Sequence, residues 1–269
     1  RVLRTFTDEK TVRKNFQQNF TGDFKIGNLR NRLVVGFDYL SSYRTTRYDG
    51  LGYGGKVFEP ANLDNLSATP VIRIEDVESI LAKRNTGQNQ TKESTYSVYA
   101  SDVLNITDQL LVMASLRVDR YIGDGTTNTK SRTTVGNYNQ TALSPKFGLV
   151  YQIVEDKVAV FGNYMNGFKN IGSKLQPNGE VSVFKPQEAA QLEGGVKLDL
   201  SDKLNATVSY YQIDVTNSLR NDVTTQGTYV IQDGTQKSKG LEIEIIGRPF
   251  SGFNYVASYG YNDNEFTKA

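Results

Sequence analysis

The 269-residue sequence contains no cysteine and no histidine. The first absence excludes disulfides, zinc–thiolate centres and cysteine nucleophiles, and leaves the redox compartment open. The second removes the commonest general base, the commonest metal ligand and any Ser–His–Asp triad. No apolar run approaches the ~20 residues that a transmembrane helix needs; the longest, LLVMASL at Leu110–Leu116, falls far short. Charge of one sign is also lacking: 31 Lys+Arg face 29 Asp+Glu, a net charge of +2. With no Lys/Arg-rich run, no nucleic-acid partner is expected. There is no helical periodicity of any length and no fixed-length repeat. The GYGG run at Gly52–Gly55 lacks the following helix and the Lys-Ser/Thr of a phosphate loop. Neither a catalytic nor a metal-binding constellation emerges, and no enzyme activity or cofactor is expected.

What the sequence has is tyrosine, 16 residues, together with 13 phenylalanines, arranged in period-two alternation. Val12, Phe16, Phe20, Phe24 and Ile26 oppose Arg13, Asn15, Gln17, Asn19, Thr21, Asp23 and Lys25. Leu33, Val35, Phe37 and Tyr39 oppose Arg32, Gly36 and Asp38. Val112, Ala114, Leu116 and Val118 oppose Ser115, Arg117 and Asp119, and Leu241, Ile243 and Ile245 oppose Glu242 and Glu244. Alternation of this kind marks strands with one apolar and one polar face. About ten are expected, joined alternately by tight turns of two to five residues and by long links: Arg44 to Glu93, Ile122 to Thr141, Lys169 to Gln187 and Thr216 to Gln236. Two places break the rule. Asp102 shares the parity of Tyr96, Val98 and Ala100, and the apolar phase slips at Tyr210–Tyr211 as a bulge would cause.

Two packings suit such strands. A soluble sandwich buries the apolar face; a membrane barrel turns it to lipid and keeps the polar face for a wet lumen. The mean hydropathy of −0.47 excludes a helical membrane protein and leaves a barrel open. Phe253 to Asp263 would span roughly 36 Å, or roughly 26 Å when tilted by about 45°, close to the ~25 Å apolar band of outer-membrane barrels. Aromatic residues gather near strand ends, at Tyr39, Tyr43, Tyr121, Tyr151, Tyr164, Phe168, Tyr210, Tyr211, Phe253 and Tyr261, as an interfacial girdle requires. The expected fold is all-β: an antiparallel transmembrane β-barrel segment, contacting outer-membrane lipid, with short turns at the periplasmic end and long loops outside. With no initiating Met, signal segment or closing element, the chain reads as an interior piece of something longer.

Three stretches, Ser144–Asn170, Pro186–Asn217 and Gly234–Asp263, closely resemble consecutive barrel segments of TonB-dependent outer-membrane receptors, best of all the ferric-siderophore, ferrichrome-receptor-like branch. YSVYASDVLNITDQLLVMASLRVDRY and NFTGDFKIGNLRNRLVVGFDY fit the preceding hairpins in order. The most specific piece is Lys239-Gly240-Leu241-Glu242. The resemblance implies ten strands of a 22-stranded barrel, with the plug domain, its TonB-contacting segment and the terminal strands outside residues 1–269. It implies active import of a ferric siderophore, powered through TonB, across the outer membrane of a Gram-negative bacterium. A passive porin, or a receptor for oligosaccharide or cobalamin, are the alternatives. Haem is not the expected ligand, because haem receptors of this family present axial histidines.

Within the loop Tyr43–Phe58, Tyr43, Arg44, Arg47, Tyr48 and Tyr53 are the candidate ligand-binding residues. Bulky, often anionic siderophores suit arginine charge and tyrosine stacking. The other reading of these residues is a girdle extension in a solvated loop. No protein ligand to iron is needed, since the siderophore fills the metal's coordination sphere. Glu242 and Glu244 share a face, where lumen hydration and cross-strand pairing explain them.

Overall fold

A computed structural model describes residues 4–50, 85–201 and 203–268, with side chains over 8–47, 87–201 and 203–268. Strands run in the order β1 (Arg4–Ile26), β2 (Leu29–Gly50), β3 (Asn85–Asn105), β4 (Leu110–Asn128), β5 (Thr133–Val135), β6 (Tyr138–Val154), β7 (Val158–Lys169), β8 (Lys174–Leu175) and β9 (Val181–Ser182). β10 (Gln187–Ser201), β11 (Leu204–Asn221), β12 (Val230–Phe250) and β13 (Phe253–Lys268) follow. Ten of them form one antiparallel sheet in chain order, β1-β2-β3-β4-β6-β7-β10-β11-β12-β13. The short strand β5 extends the outer end of β4, and β8 pairs β9 in a separate small hairpin.

The turns follow from local chemistry. Gly27 takes φ +61° between β1 and β2, and Gly252 takes φ +85° between β12 and β13, where the Phe250 and Phe253 rings stack at 5.2 Å. Between β3 and β4, Thr107 Oγ1 accepts the N–H groups of Gln109 (3.2 Å) and Leu110 (3.0 Å). Asp156 stands at φ 56° between β6 and β7, its N–H donated to Gln152 Oε1 at 2.9 Å. All the short turns lie at one end of the sheet.

The strands are longer than lipid-crossing alone requires. β1, β2, β3 and β12 have 23, 22, 21 and 21 residues. At ~3.3 Å per residue and ~45° tilt, the longest projects ~54 Å, about twice the apolar band. The surplus lies at the long-link end. The links expected from Arg44 to Glu93 and from Thr216 to Gln236 therefore begin later and end sooner, since strand pairing continues to Gly50↔Asn85 and Asn221↔Val230.

Paired residues share a face, and the faces divide as the alternation requires. Phe16↔Tyr39↔Tyr96 and Val118↔Leu143 lie on one side. There Phe20 is 61%, Leu143 58% and Leu192 64% exposed, with no second layer across them among the described residues. A sandwich would bury this face. The buried residues are mainly polar, and most of the buried polar ones belong to the other side: Ser97, Asp119, Gln140, Ser144 and Ser209. On that inner face Arg117 bonds Asp38 (2.8 Å) and Asp119 (2.9 Å), Ser97 donates to Asp119 (2.6 Å), and the Arg117 guanidinium stands 5.3 Å from the centre of the Tyr99 ring. A hydrogen-bonded interior and an apolar exterior are a globular core turned inside out.

Two expectations change and a third holds. Tyr121 and Tyr211 are not girdle residues but face inward. There is no bulge at Tyr210–Tyr211, whose register is continuous with both neighbours. The apolar phase slips there because Tyr211 covers Gly240, directly opposite, instead of facing outward. Asp102 does sit on the outward parity, opposite Leu33 and Ala114, near the short-turn end. One of its carboxylate oxygens is buried without a hydrogen-bond partner.

Candidate functional site

Above the apolar band, the inner face of β2, β3, β4 and β6 forms one wall of a chamber. Register fixes its layout. Ser42, Glu93, Gly123 and Tyr138 lie in one row across the four strands, and Thr95, Tyr121 and Gln140 in the next. Gly123 is the key position. A Cβ there would come within 3.1 Å of both the Tyr121 and Tyr138 rings; without it the two rings stack at 5.0 Å. Gly172, Ser173, Leu175 and Val181, from the connection between β7 and β10, face them and enclose a cavity of about 350 Å³ to which Arg44 also contributes. A smaller polar recess beside it, about 90 Å³, is lined by Glu9, Arg13, Arg44 and Glu93.

The phenols here stay protonated. Burial, then hydrogen bonding with Tyr138, then the Glu93 charge push the Tyr121 hydroxyl far above its ordinary range, and burial raises Tyr138 as well. The chamber therefore offers two neutral aromatic rings, an aliphatic side at Val135, Leu175 and Val181, and a charged mouth at Arg44 and Glu93. That combination suits a bulky ligand with an aromatic or apolar part and a polar or anionic rim.

Of the five residues singled out from the sequence, three have described side chains, and among these Arg44 lines the chamber. Tyr43 and Arg47 have the opposite parity and lie on the outer side, pairing with Lys92 and Gln88. Tyr48 is in β2, pairing with Phe6 and Gly87, and its side chain is outside those described; Tyr53 is outside the described residues altogether. The segment 43–50 is strand, not loop. Glu93, Tyr121 and Tyr138 were missed. Tyr121 carried a readable signal, the polar parity it shares with Arg117 and Asp119.

A single antiparallel sheet, apolar outside, hydrogen-bonded inside, short-turned at one end and built up at the other, is the wall of an outer-membrane β-barrel. The chain belongs to the family "TonB dependent receptor-like, beta-barrel", whose model matches residues 2–269. Members of this family are Gram-negative outer-membrane β-barrel proteins, transporters and not enzymes. Among curated relatives, the metal-pseudopaline receptor CntO of Pseudomonas aeruginosa is 25% identical over 261 residues, covering 94% of this chain and 34% of CntO. The catecholate siderophore receptor Fiu of Escherichia coli is 25% identical over 280 residues, covering 90% and 34%. The crystal structure of the ferripyoverdine receptor of Pseudomonas aeruginosa, bound to ferripyoverdine, superposes with a TM-score of 0.76 at 19% identity, covering 98% of this chain and 34% of that one. The chain thus spans about a third of the length of these proteins.

Proposed function

We propose that the chain is an interior part of the barrel of a receptor that imports ferric siderophores across the outer membrane, energised through TonB. The observation that carries this reading is the outer-end chamber, lined by the Tyr121–Tyr138 pair, an aliphatic side and Arg44. A porin has no use for a built aromatic chamber. The relatives named for pseudopaline and catecholate chelates support the same ligand class. In this reading the sheet supplies ten strands of a 22-stranded barrel whose lumen holds a plug, and TonB acts through that plug. The finer expectation, a ferrichrome-type ligand, puts ferrichrome first in the panel below.

The test is uptake of radiolabelled iron by cells producing the full-length protein as their only siderophore receptor. Ferrichrome, a ferric catecholate and a ferric carboxylate chelate are offered in turn. Uptake of at least one, abolished by deleting TonB, is expected. Passive, TonB-independent entry of small solutes without chelate uptake would establish the porin reading instead. A stoichiometric Soret shift on adding haem would overturn the exclusion of haem.

A further inference from the structure

Residues 170–186 form one side of the chamber, yet most of them are not strand, so their backbone polar groups need partners from elsewhere. Gln140 and Gln232 provide such partners from the sheet, and Gln176, within the segment, ties it in turn to the Val230 backbone. Gln140 on β6 accepts from the Ile171 N–H (3.2 Å) and donates to the carbonyls of Ile171 (2.9 Å) and Phe184 (2.7 Å). Gln176, beside the small hairpin, accepts from the Val230 N–H (3.1 Å) and donates to the Val230 carbonyl (2.8 Å) and Ser182 Oγ (3.0 Å). Gln232 on β12 accepts from the Lys185 N–H (2.7 Å) and donates to the carbonyls of Lys185 (2.6 Å) and Asn217 (3.0 Å).

Each amide closes a reciprocal pair with the N–H and C=O of one residue, as a neighbouring strand would. Gln140 and Gln176 are 5% and 8% exposed, so water does not readily replace these bonds. Asn217 adds a bond to the Pro186 carbonyl (3.2 Å), and Gln187 one to Ser218 Oγ (2.7 Å). Gln140 is also the direct register partner of Tyr121, which ties the loop to the aromatic pair.

We infer that segment 170–186 is a preset wall of the chamber, not a closing flap, and that Gln140, Gln176 and Gln232 are the positioning residues that set it. Swinging this segment aside requires three reciprocal pairs to open together, those of Gln140 and Gln176 half-buried and that of Gln232 exposed. Any movement that accompanies ligand capture therefore belongs to other loops. The link to ligand affinity rests on the import reading; the rigidity of the wall does not.

Two measurements on the full-length protein test this. The first is amide hydrogen exchange in micelles, with and without ferrichrome or a ferric catecholate. The Ile171, Lys185 and Val230 N–H groups are expected to be protected about 100-fold over an unstructured chain even without ligand. Gln140→Leu should strip the protection at Ile171 while leaving that of β1–β4 intact. Gln140→Glu, which accepts but cannot donate to two carbonyls, should also loosen it, and Gln232→Leu should do the same at Lys185. The second is chelate uptake, where Gln140→Leu should raise the half-saturation concentration roughly tenfold with the maximal rate unchanged. Fast exchange in the unsubstituted protein, or protection gained only when chelate binds, would make the segment a flap and overturn the inference. So would Gln140→Leu leaving both exchange and half-saturation unaltered. If no chelate is taken up at all, the import reading fails while the exchange result still decides the wall.

Discussion

The ring of Phe161 occupies the space that a side chain at Gly195 would need. The two residues are directly opposite on β7 and β10, and a Cβ at Gly195 would come within 2.7 Å of the ring and 2.4 Å of the Val208 carbonyl oxygen. The inner face repeats the arrangement with Tyr99 over Gly36 and Tyr211 over Gly240, both also register partners. An aromatic ring laid across a glycine covers backbone that would otherwise face the lumen and pins the register of the pair.

Two of these glycines and a third with no ring over it should not respond alike to alanine. At Gly195 one obstacle is main chain, so Gly195→Ala should cost about 1–3 kcal/mol, as overpacking does. At Gly36 the obstacles are the tips of Tyr99 and Asn19, which can swing away. The cost there is the hydrogen bonds Tyr99 makes with Asn19 and Gln17, about 0.5–1.5 kcal/mol each. Gly167, on the interior strand β7 with nothing within 4 Å, should tolerate alanine to within about 0.5 kcal/mol. Urea midpoints of the full-length protein in vesicles rank the three; equal midpoints would refute the assignment.

Period-two alternation was enough to read the ten strands, their turns and their faces, because in a lipid-facing sheet every second residue answers to a different solvent. It fails at Tyr211, which turns inward onto Gly240, while Tyr121 keeps the inward parity and only the girdle reading of it fails, since its ring stacks on Tyr138. Strand length was underestimated because the estimate stopped at the membrane, while pairing continues through polar residues such as Thr45↔Gln90. The chamber was illegible for another reason. Arg44, Tyr121, Tyr138 and Leu175 come from four separate segments, and only the register and the glutamine-held loop bring them together.

The outer ends of β11, β12 and β13 are tied through Asp233, which bonds Arg220 at 2.5 Å and Lys268 at 2.7 Å. The Arg220 hydrogen bond first, then that of Lys268, hold its carboxyl down at about 2. A carboxyl depressed in the folded state stabilises above its unfolded value, near 3.8, and that contribution is lost as pH falls through about 2. The tie should therefore persist at pH 4 and open as pH falls through about 2, its contribution to stability declining between about pH 4 and pH 2. Carboxyl carbon shifts of labelled Asp233 should show a midpoint near 2, moving upward in Arg220→Gln. A midpoint near 4 in the unsubstituted protein would mean that the pairing does not persist in solution.

The placing of short turns inside and built-up loops outside is testable because the chain has no native thiol. Val223 is 74% exposed in the 222–229 link, and Lys203 lies in the exposed turn between β10 and β11. On intact cells a membrane-impermeant maleimide should label Val223→Cys and spare Lys203→Cys. The opposite pattern would invert the orientation and move the chamber to the periplasmic side.

The central claim is that the apolar face meets lipid and the polar face a wet lumen, and two adjacent residues of β1 test it most directly. Phe20 points outward, opposite Val35, and is 61% exposed; Thr21 points inward, opposite Val34. The measurement is the unfolding free energy of Phe20→Arg and Thr21→Arg in the full-length protein assembled into phospholipid vesicles. An arginine facing the hydrocarbon costs ~2–4 kcal/mol at mid-depth, and one in the lumen costs little. Phe20→Arg is therefore expected to lose at least ~2 kcal/mol and Thr21→Arg to stay within about 0.5 kcal/mol of the unsubstituted protein. A loss at Thr21→Arg with Phe20→Arg unaffected would contradict it.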